Sequence, residues 1–311
     1  LKTVSVRGFG SGHTGVVYDG IPLSDAQSGQ IDIARYSLDN VGSLSMVVGD
    51  NDDIFTTARA AAAAASLFIS SADVGSSTEL KAQLRAGSFG FINPFLRVGG
   101  AVSQKLRMNV VGEYTHCDNN FPFTLHNGNI VTTEHRNNSK MDAGHCEVNA
   151  VWRMAKAATL TAKVYGYSAD RYLPGPVIYY NNVSNERLRE RNLFAQAEYR
   201  HVLRSNLTMK WLGKFNYASS FYHDENGKYP GGVLDQNYWQ REYYVAGALL
   251  WEPISKLALD YSADYFFNNL NSNLISDTKP RRHSILQSAT AKFHTRGITL
   301  TGRLLYSIYD N

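Results

Sequence analysis

Asn206-Leu207-Thr208-Met209-Lys210-Trp211-Leu212-Gly213-Lys214-Phe215-Asn216-Tyr217-Ala218-Ser219-Ser220 alternates between two chemistries. One set is Leu207, Met209, Trp211, Phe215 and Tyr217; the other is Asn206, Thr208, Lys210, Lys214 and Asn216. A period of two is that of a β-strand, whose successive side chains point to opposite faces. The polar set carries charge in mid-strand, which suits a wide water-filled or plugged lumen, and the apolar set would then face lipid.

The pattern repeats on both sides. Leu106, Met108, Val110, Gly112 and Tyr114 oppose Arg107, Asn109, Val111, Glu113 and Thr115. Leu257, Leu259, Tyr261, Tyr265 and Phe267 oppose Asp260, Ser262 and Asp264. Ile298, Leu300, Leu304, Tyr306 and Ile308 oppose Thr299, Thr301, Arg303 and Ser307. Eleven such strands are expected, at 79–88, 94–103, 106–116, 140–154, 158–169, 192–202, 206–220, 237–251, 257–269, 282–295 and 298–309. After the first pair, tight connections (Gln104–Lys105, Ala155–Ala157, Leu203–Ser205, Glu252–Lys256, Arg296–Gly297) alternate with long polar ones (117–139, 170–191, 221–236, 270–281). That asymmetry is the mark of an outer-membrane barrel, with short periplasmic turns and long extracellular loops. Eleven strands would leave two open edges in lipid, where unpaired backbone is costly. The segment is therefore expected to be part of a longer barrel.

Composition is compatible with this reading. The chain is 43% hydrophobic and 19% charged, with a mean hydropathy of −0.30. No run reaches the roughly 18 apolar residues of a transmembrane helix, whereas a transmembrane strand needs only about 9–11 residues. The 19 Tyr, 14 Phe and 4 Trp would supply interfacial girdles. A Tyr-rich soluble β-sandwich is the competing reading on composition alone. The net charge of +4 is spread along the chain, with no basic stripe for nucleic acid. Cys117 and Cys146 are too few for a disulfide framework and lack metal-type spacing.

Residues 1–75 differ in texture from 76–311. They are rich in Gly, Asp and Ser, with short strand-like runs at Thr3–Arg7, Gly15–Tyr18, Leu44–Val48 and Leu67–Ser70. A helical turn is expected within Asp32–Asn40, and Ala60–Ala65 is a run of pure helix former. This is a small α+β unit ahead of the barrel strands. It opens at Leu1 inside a β-like run, so its own start is expected to lie outside the chain.

Three blocks in this unit resemble the plug of TonB-dependent outer-membrane receptors. They are Val4-Ser5-Val6-Arg7-Gly8-Phe9-Gly10, Val16-Val17-Tyr18-Asp19-Gly20-Ile21-Pro22-Leu23-Ser24-Asp25, and Asp39-Asn40-Val41-Gly42-Ser43-Leu44-Ser45-Met46-Val47-Val48-Gly49. Their order and spacing match the family's. Two positions depart from it: the usual Arg-Gly-Pro is Val48-Gly49-Asp50, and the usual Gly-rich strand entry is Ala64-Ala65-Ser66-Leu67-Phe68-Ile69. The resemblance implies a partial membrane β-barrel holding a partial α+β plug. It also implies active import of a scarce nutrient without catalysis or cofactor, and coupling to TonB through a segment not in this chain. Arg7, Gly8, Asp19 and Gly20 would be structural, the two charges buried and paired between plug and wall.

Ser28-Gly29-Gln30-Ile31-Asp32-Ile33-Ala34-Arg35-Tyr36-Ser37, Arg171-Tyr172-Leu173-Pro174-Gly175-Pro176-Val177 and Arg191-Asn192-Leu193-Phe194-Ala195-Gln196-Ala197 resemble cobalamin-type receptors of Bacteroides-like bacteria. A corrinoid ligand is what that resemblance implies, with a surface lipoprotein as a further partner. Ser11, His13, Gln27, Ser28, Gly29 and Gln30 would then touch the ligand, with Phe121, Phe123, Tyr179 and Tyr180 closing over it. Ferric siderophore or haem uptake is the alternative. No metal site is expected: Asp118 and Glu134 are too few for a Ca²⁺ cage, and the loop histidines lack ligand spacing. An enzyme barrel would need a nucleophile motif that is absent, and a passive porin would have no N-terminal globular unit.

Overall fold

The computed structural model describes residues 2–6, 10–49, 52–177, 184–275 and 278–311. The leading unit holds β1 (Thr14–Tyr18), β2 (Ile21–Pro22), β3 (Val41–Val48), the single-turn helix α1 (Ala58–Ala61) and β4 (Ala65–Ser71). Its sheet runs β2-β1-β4-β3, with β1 parallel to β4 and the other pairs antiparallel. Asp19 (φ 47°) and Gly20 (φ 81°) join β1 to β2. Positive φ at both central residues is what a tight hairpin turn of this hand requires, and Asp-Gly is a preferred pair for it.

Beyond it lie β5 (Glu79–Ala86), β6 (Ile92–Ala101), β7 (Leu106–Cys117), β8 (Pro122–Asn127), β9 (Ile130–His135), β10 (Met141–Ala155), β11 (Ala158–Leu173) and β12 (Glu186–Arg204). They are followed by β13 (Leu207–Glu225), β14 (Val233–Ile254), β15 (Leu257–Ser272), β16 (Arg281–Thr295) and β17 (Ile298–Asp310). Eleven of these form one antiparallel meander in sequence order from β5 to β17; β8 and β9 form a hairpin of their own outside it. The eleven expected strands are these eleven. β5 and β17 are the two edges of the sheet and do not pair with each other. Among the described residues no helix is long and apolar enough to cross a membrane, which leaves crossing by strands untouched.

The alternation reads as expected. Trp211, Val245 and Tyr261 stand on the outer face at 55%, 53% and 50% exposure, while Lys214, Glu242, Asp260 and Asp264 on the opposite phase are buried. What buries them is the leading unit. Val16, Tyr18, Leu23, Tyr36, Leu67 and Ile69 pack against Tyr165, Tyr167 and Phe194 of the wall, and Ile21 and Ala58 against Leu212, Tyr244 and Phe266. Polar ties reach it from β5, where Lys81 Nζ donates to the Asp39 carbonyl, to β16, where Lys292 Nζ donates to that of Asp52. The wall thus wraps the unit as a barrel wraps a plug.

Three local expectations differ from the structure. Thr3–Arg7 is not a strand over its described residues, which show only an isolated bridge at Val6. The turn in Asp32–Asn40 is two separate 3₁₀ turns, Ile33–Arg35 and Leu38–Asn40, each begun by a side chain (Asp32, Ser37) accepting a backbone N–H. The alanine run is helical only to Ala61, because Ala65 is already paired in parallel with Thr14. Tertiary pairing here outweighs alanine's helix propensity.

Candidate functional site

The tight turns gather at one rim of the wall and the long connections at the other. The plug's exposed crest lies toward the long-loop rim, and it is built from two short turns. In the first, Asp25 Oδ1 accepts from the backbone N–H of Gln27 (3.0 Å) and Ser28 (2.8 Å) and from Ser28 Oγ (3.1 Å). A carboxylate closing its own turn in this way is an Asx turn. Gly29 completes it at φ 67°. Gln240 of β14 clamps the turn to the wall, donating from Nε2 to Asp25 Oδ2 (3.0 Å) while its Oε1 accepts from Ala26 N. The second turn is the 3₁₀ turn Ser11–His13, and a Cβ on its Gly12 would lie 3.8 Å from the Gly29 carbonyl oxygen. Ser11, His13, Gln27, Ser28, Gly29 and Gln30 therefore share one crest, with His13, Gln27, Ser28 and Gly29 exposed.

Phe121 and Phe123 sit apart from that crest. Phe121 packs edge-on against Phe89 at a centroid distance of 6.1 Å, and Phe123 lines a rim cavity of about 120 Å³ with Glu134, Arg136 and Pro176. Tyr179 and Tyr180 lie outside the described residues, as do Arg7 and Gly8.

Beneath the crest, Glu190 of β12 receives Arg35 of the plug at 2.7 Å and Arg171 of β11 at 2.6 Å. Arg35 and Arg171 border a cleft of about 640 Å³ between plug and wall, also lined by Asp32, Arg85, Glu113 and His145. Sequence reading did not single out this cluster. Glu190 and Arg171 fall in a stretch read as loop, and nothing local shows that Arg35, 155 residues away from Glu190, closes on it.

The plug is held by charge. Lys163 of β11 lies 2.7 Å from Asp19 of the plug and 2.9 Å from Glu147 of β10, with its ammonium 3.7 Å from the Tyr18 ring centroid. Asn40 also donates to Glu147. Gly20, next to Asp19, abuts the wall: a Cβ there would stand 3.0 Å from Glu198 Oε2. On the far side Lys214 and Arg59 meet Glu242 at 2.7 and 3.4 Å. Asp264 accepts from the first N–H groups of α1, Ala58 at 3.1 Å and Arg59 at 3.0 Å. Arg85 forks onto Asp39 at 2.6 and 2.7 Å. Those bonds hold the Asp39 carboxyl below its usual range, and burial pushes the Tyr18 and Tyr36 hydroxyls well above theirs. Among the described residues no group of three or more His, Cys, Asp or Glu could hold a metal ion.

Comparison with known proteins follows the same lines. Residues 1–63 match the family model described as TonB-dependent Receptor Plug Domain. No curated protein matches the chain in sequence. Among solved structures, a mutant of the ferric enterobactin receptor PfeA from Pseudomonas aeruginosa superposes with a TM-score of 0.71 at 13% identity, covering 98% of this chain and 51% of that one. The FrpB iron transporter from Neisseria meningitidis gives 0.73 at 11% identity, covering 96% and 52%. The copper transporter OprC gives 0.70 at 13%, covering 96% and 47%. The chain spans about half the length of these structures. Its fold, a unit that matches the plug model set within an antiparallel strand wall, is that of these solved structures.

Proposed function

We propose that this chain belongs to an outer-membrane receptor that captures a scarce, large nutrient at the cell surface and imports it with energy supplied through TonB. One observation carries the reading. The plug is tied to the wall by ion pairs and hydrogen bonds, and its Ser11–His13 and Asp25–Gln30 turns stay uncovered at the long-loop rim. Polar ties of this kind can be exchanged for water when the plug is pulled, and the apolar contact between plug and wall is confined to two separate clusters, around Tyr165 and around Tyr244. Capture and gated passage need no bond to break, so the proposed receptor is not an enzyme. TonB would engage a segment outside these residues.

For the ligand we propose a corrinoid. The support is the resemblance of 28–37 and 171–177 to cobalamin receptors, together with a crest of amides, hydroxyls and peptide groups suited to an amide-decorated ligand. A ferric chelate is the second reading, favoured by the ferric enterobactin receptor and the iron transporter among the similar structures. Equilibrium binding of the full-length receptor to cobalamin, haem and ferric siderophores separates the two. Deleting Ala26–Gln30 should abolish binding of whichever ligand is retained and leave the wall folded. Undiminished binding by that deletion would remove the crest from the site.

A further inference from the structure

The outer face of the wall carries an arginine group that the plug, the crest and import do not use. On β12 the outward phase reads Arg187, Arg189, Arg191, Leu193, and on β14 it reaches Arg241. Arg189, Arg191 and Arg241 are exposed, and among the described residues their side chains make no salt bridge or hydrogen bond. The carboxylate facing Arg189 across the ladder is Asp170, and it is already taken: Arg187 Nε donates to it at 2.8 Å and Arg187 Nη2 donates a second bond. Arg189 therefore shares one carboxylate with Arg187, and Arg191 and Arg241 face none across the ladder. Arg189 and Arg191, two residues apart on one face, stand about 7 Å from each other.

Their depth matters as much as their charge. Arg241 pairs in register with Tyr217, and the next outward residues toward the tight-turn rim are Phe215, Tyr243 and Phe267, linked ring to ring at 5.0 and 6.2 Å. Between Arg189 and Arg241 lies the Phe221–Trp239 pair, edge to face at 5.6 Å. An aromatic row of this kind marks the upper boundary of the hydrocarbon. The arginines thus stand at and just above that boundary, at headgroup depth. A cation on the lipid face costs little at that depth, about 0–1 kcal/mol, and an anionic headgroup that meets it turns the balance favourable by about 1 kcal/mol per basic residue.

We propose that Arg189, Arg191 and Arg241 form a docking surface for a phosphate-bearing lipid of the outer leaflet, with the Phe221–Trp239 pair as its apolar floor. Guanidinium forks match phosphate oxygens two by two, and the acyl chains of the same lipid run down the apolar wall beneath. The inference rests on the wall facing lipid and is independent of which nutrient is carried.

The test is lipid retention by the full chain in detergent micelles, read by native mass spectrometry. The probes are lipid A with both phosphates and the same lipid with its phosphates removed. The unmodified protein should retain the phosphorylated lipid at least about tenfold more tightly, since each basic residue contributes to binding an anionic headgroup. The variant Arg189→Gln, Arg191→Gln, Arg241→Gln should lose that preference, and the corresponding triple Lys variant should keep most of it. Equal retention of both lipids by the unmodified protein overturns the proposal even if the Gln variant fails to insert. An unchanged preference in a folded Gln variant overturns it as well.

Discussion

Lys163 carries a positive charge into a space that is otherwise acidic: Glu147 and Asp19 converge on it, and both it and Glu147 are buried. Replacing it with Ala leaves two carboxylates facing each other with no counter-charge. Breaking a buried pair from one side costs roughly 3–5 kcal/mol. Lys163→Ala should lower unfolding stability in detergent by about that much, and Lys163→Ala with Glu147→Gln should recover part of it in a double-mutant cycle. A loss below about 1 kcal/mol would mean that the plug does not depend on this contact. Asp39 gives a pH-dependent counterpart. Its carboxyl, bonded to Arg85, has a folded pKa below the ordinary 3.8. A depressed acid contributes stability that is complete above the unfolded value and is lost as pH falls through the folded one. The hydrogen-exchange protection factors around Leu38–Val41, with the intrinsic pH dependence of exchange divided out, should therefore be flat above about pH 5 and fall below the ordinary carboxylate range, and Arg85→Gln should abolish that fall. Alternation alone made Lys210, Lys214, Asp260 and Asp264 legible as inward charges. Their partners were not legible, because Lys163 finds Asp19 only once the chain has wound a wall around the plug, 144 residues after the aspartate.

Strands were the most legible elements, because lipid on one side and plug on the other impose a period of two over their whole length. Their ends were less so. β14 runs over Val233–Ile254 where 237–251 was expected, since its pairing continues past the alternating stretch at both ends, to Val233 opposite Glu225 and to Ile254 opposite Leu257. The β8–β9 hairpin inside 117–139 went unread although its signal was present: Asn127-Gly128-Asn129 between two β-prone runs, with Gly128 at φ 59°. The hairpin forms a separate two-stranded sheet and adds no ladder to the wall. Excising 122–135 and closing the gap with two glycines should leave the wall's thermal unfolding unchanged to within about 1 kcal/mol, while removing the rim cavity that Phe123 lines. A collapse of the wall on excision would show that the hairpin supports β7 and β10.

Import and headgroup docking both require hydrocarbon to meet the outer side of the eleven-stranded sheet. The four tryptophans give a direct answer. Trp152, Trp211, Trp239 and Trp251 all occupy the outward phase of their strands. Trp152, Trp211 and Trp251 are 44%, 55% and 47% exposed, which in water would be an unusual outlay of apolar surface. From Tyr243 in the upper aromatic row to Trp251 below it is eight residues of one strand, about 21 Å along the membrane normal at a tilt near 40°. That height is close to the apolar band of an outer-membrane barrel, about 25 Å. In bilayers of brominated phospholipid, Trp211 and Trp251 should be strongly quenched. Trp239, beside the arginines, should be quenched less by bromines deep in the acyl chains than by bromines near the headgroup. Tryptophans that brominated chains leave bright would put the aromatic face against protein, and neither lipid docking nor outer-membrane import would survive that result.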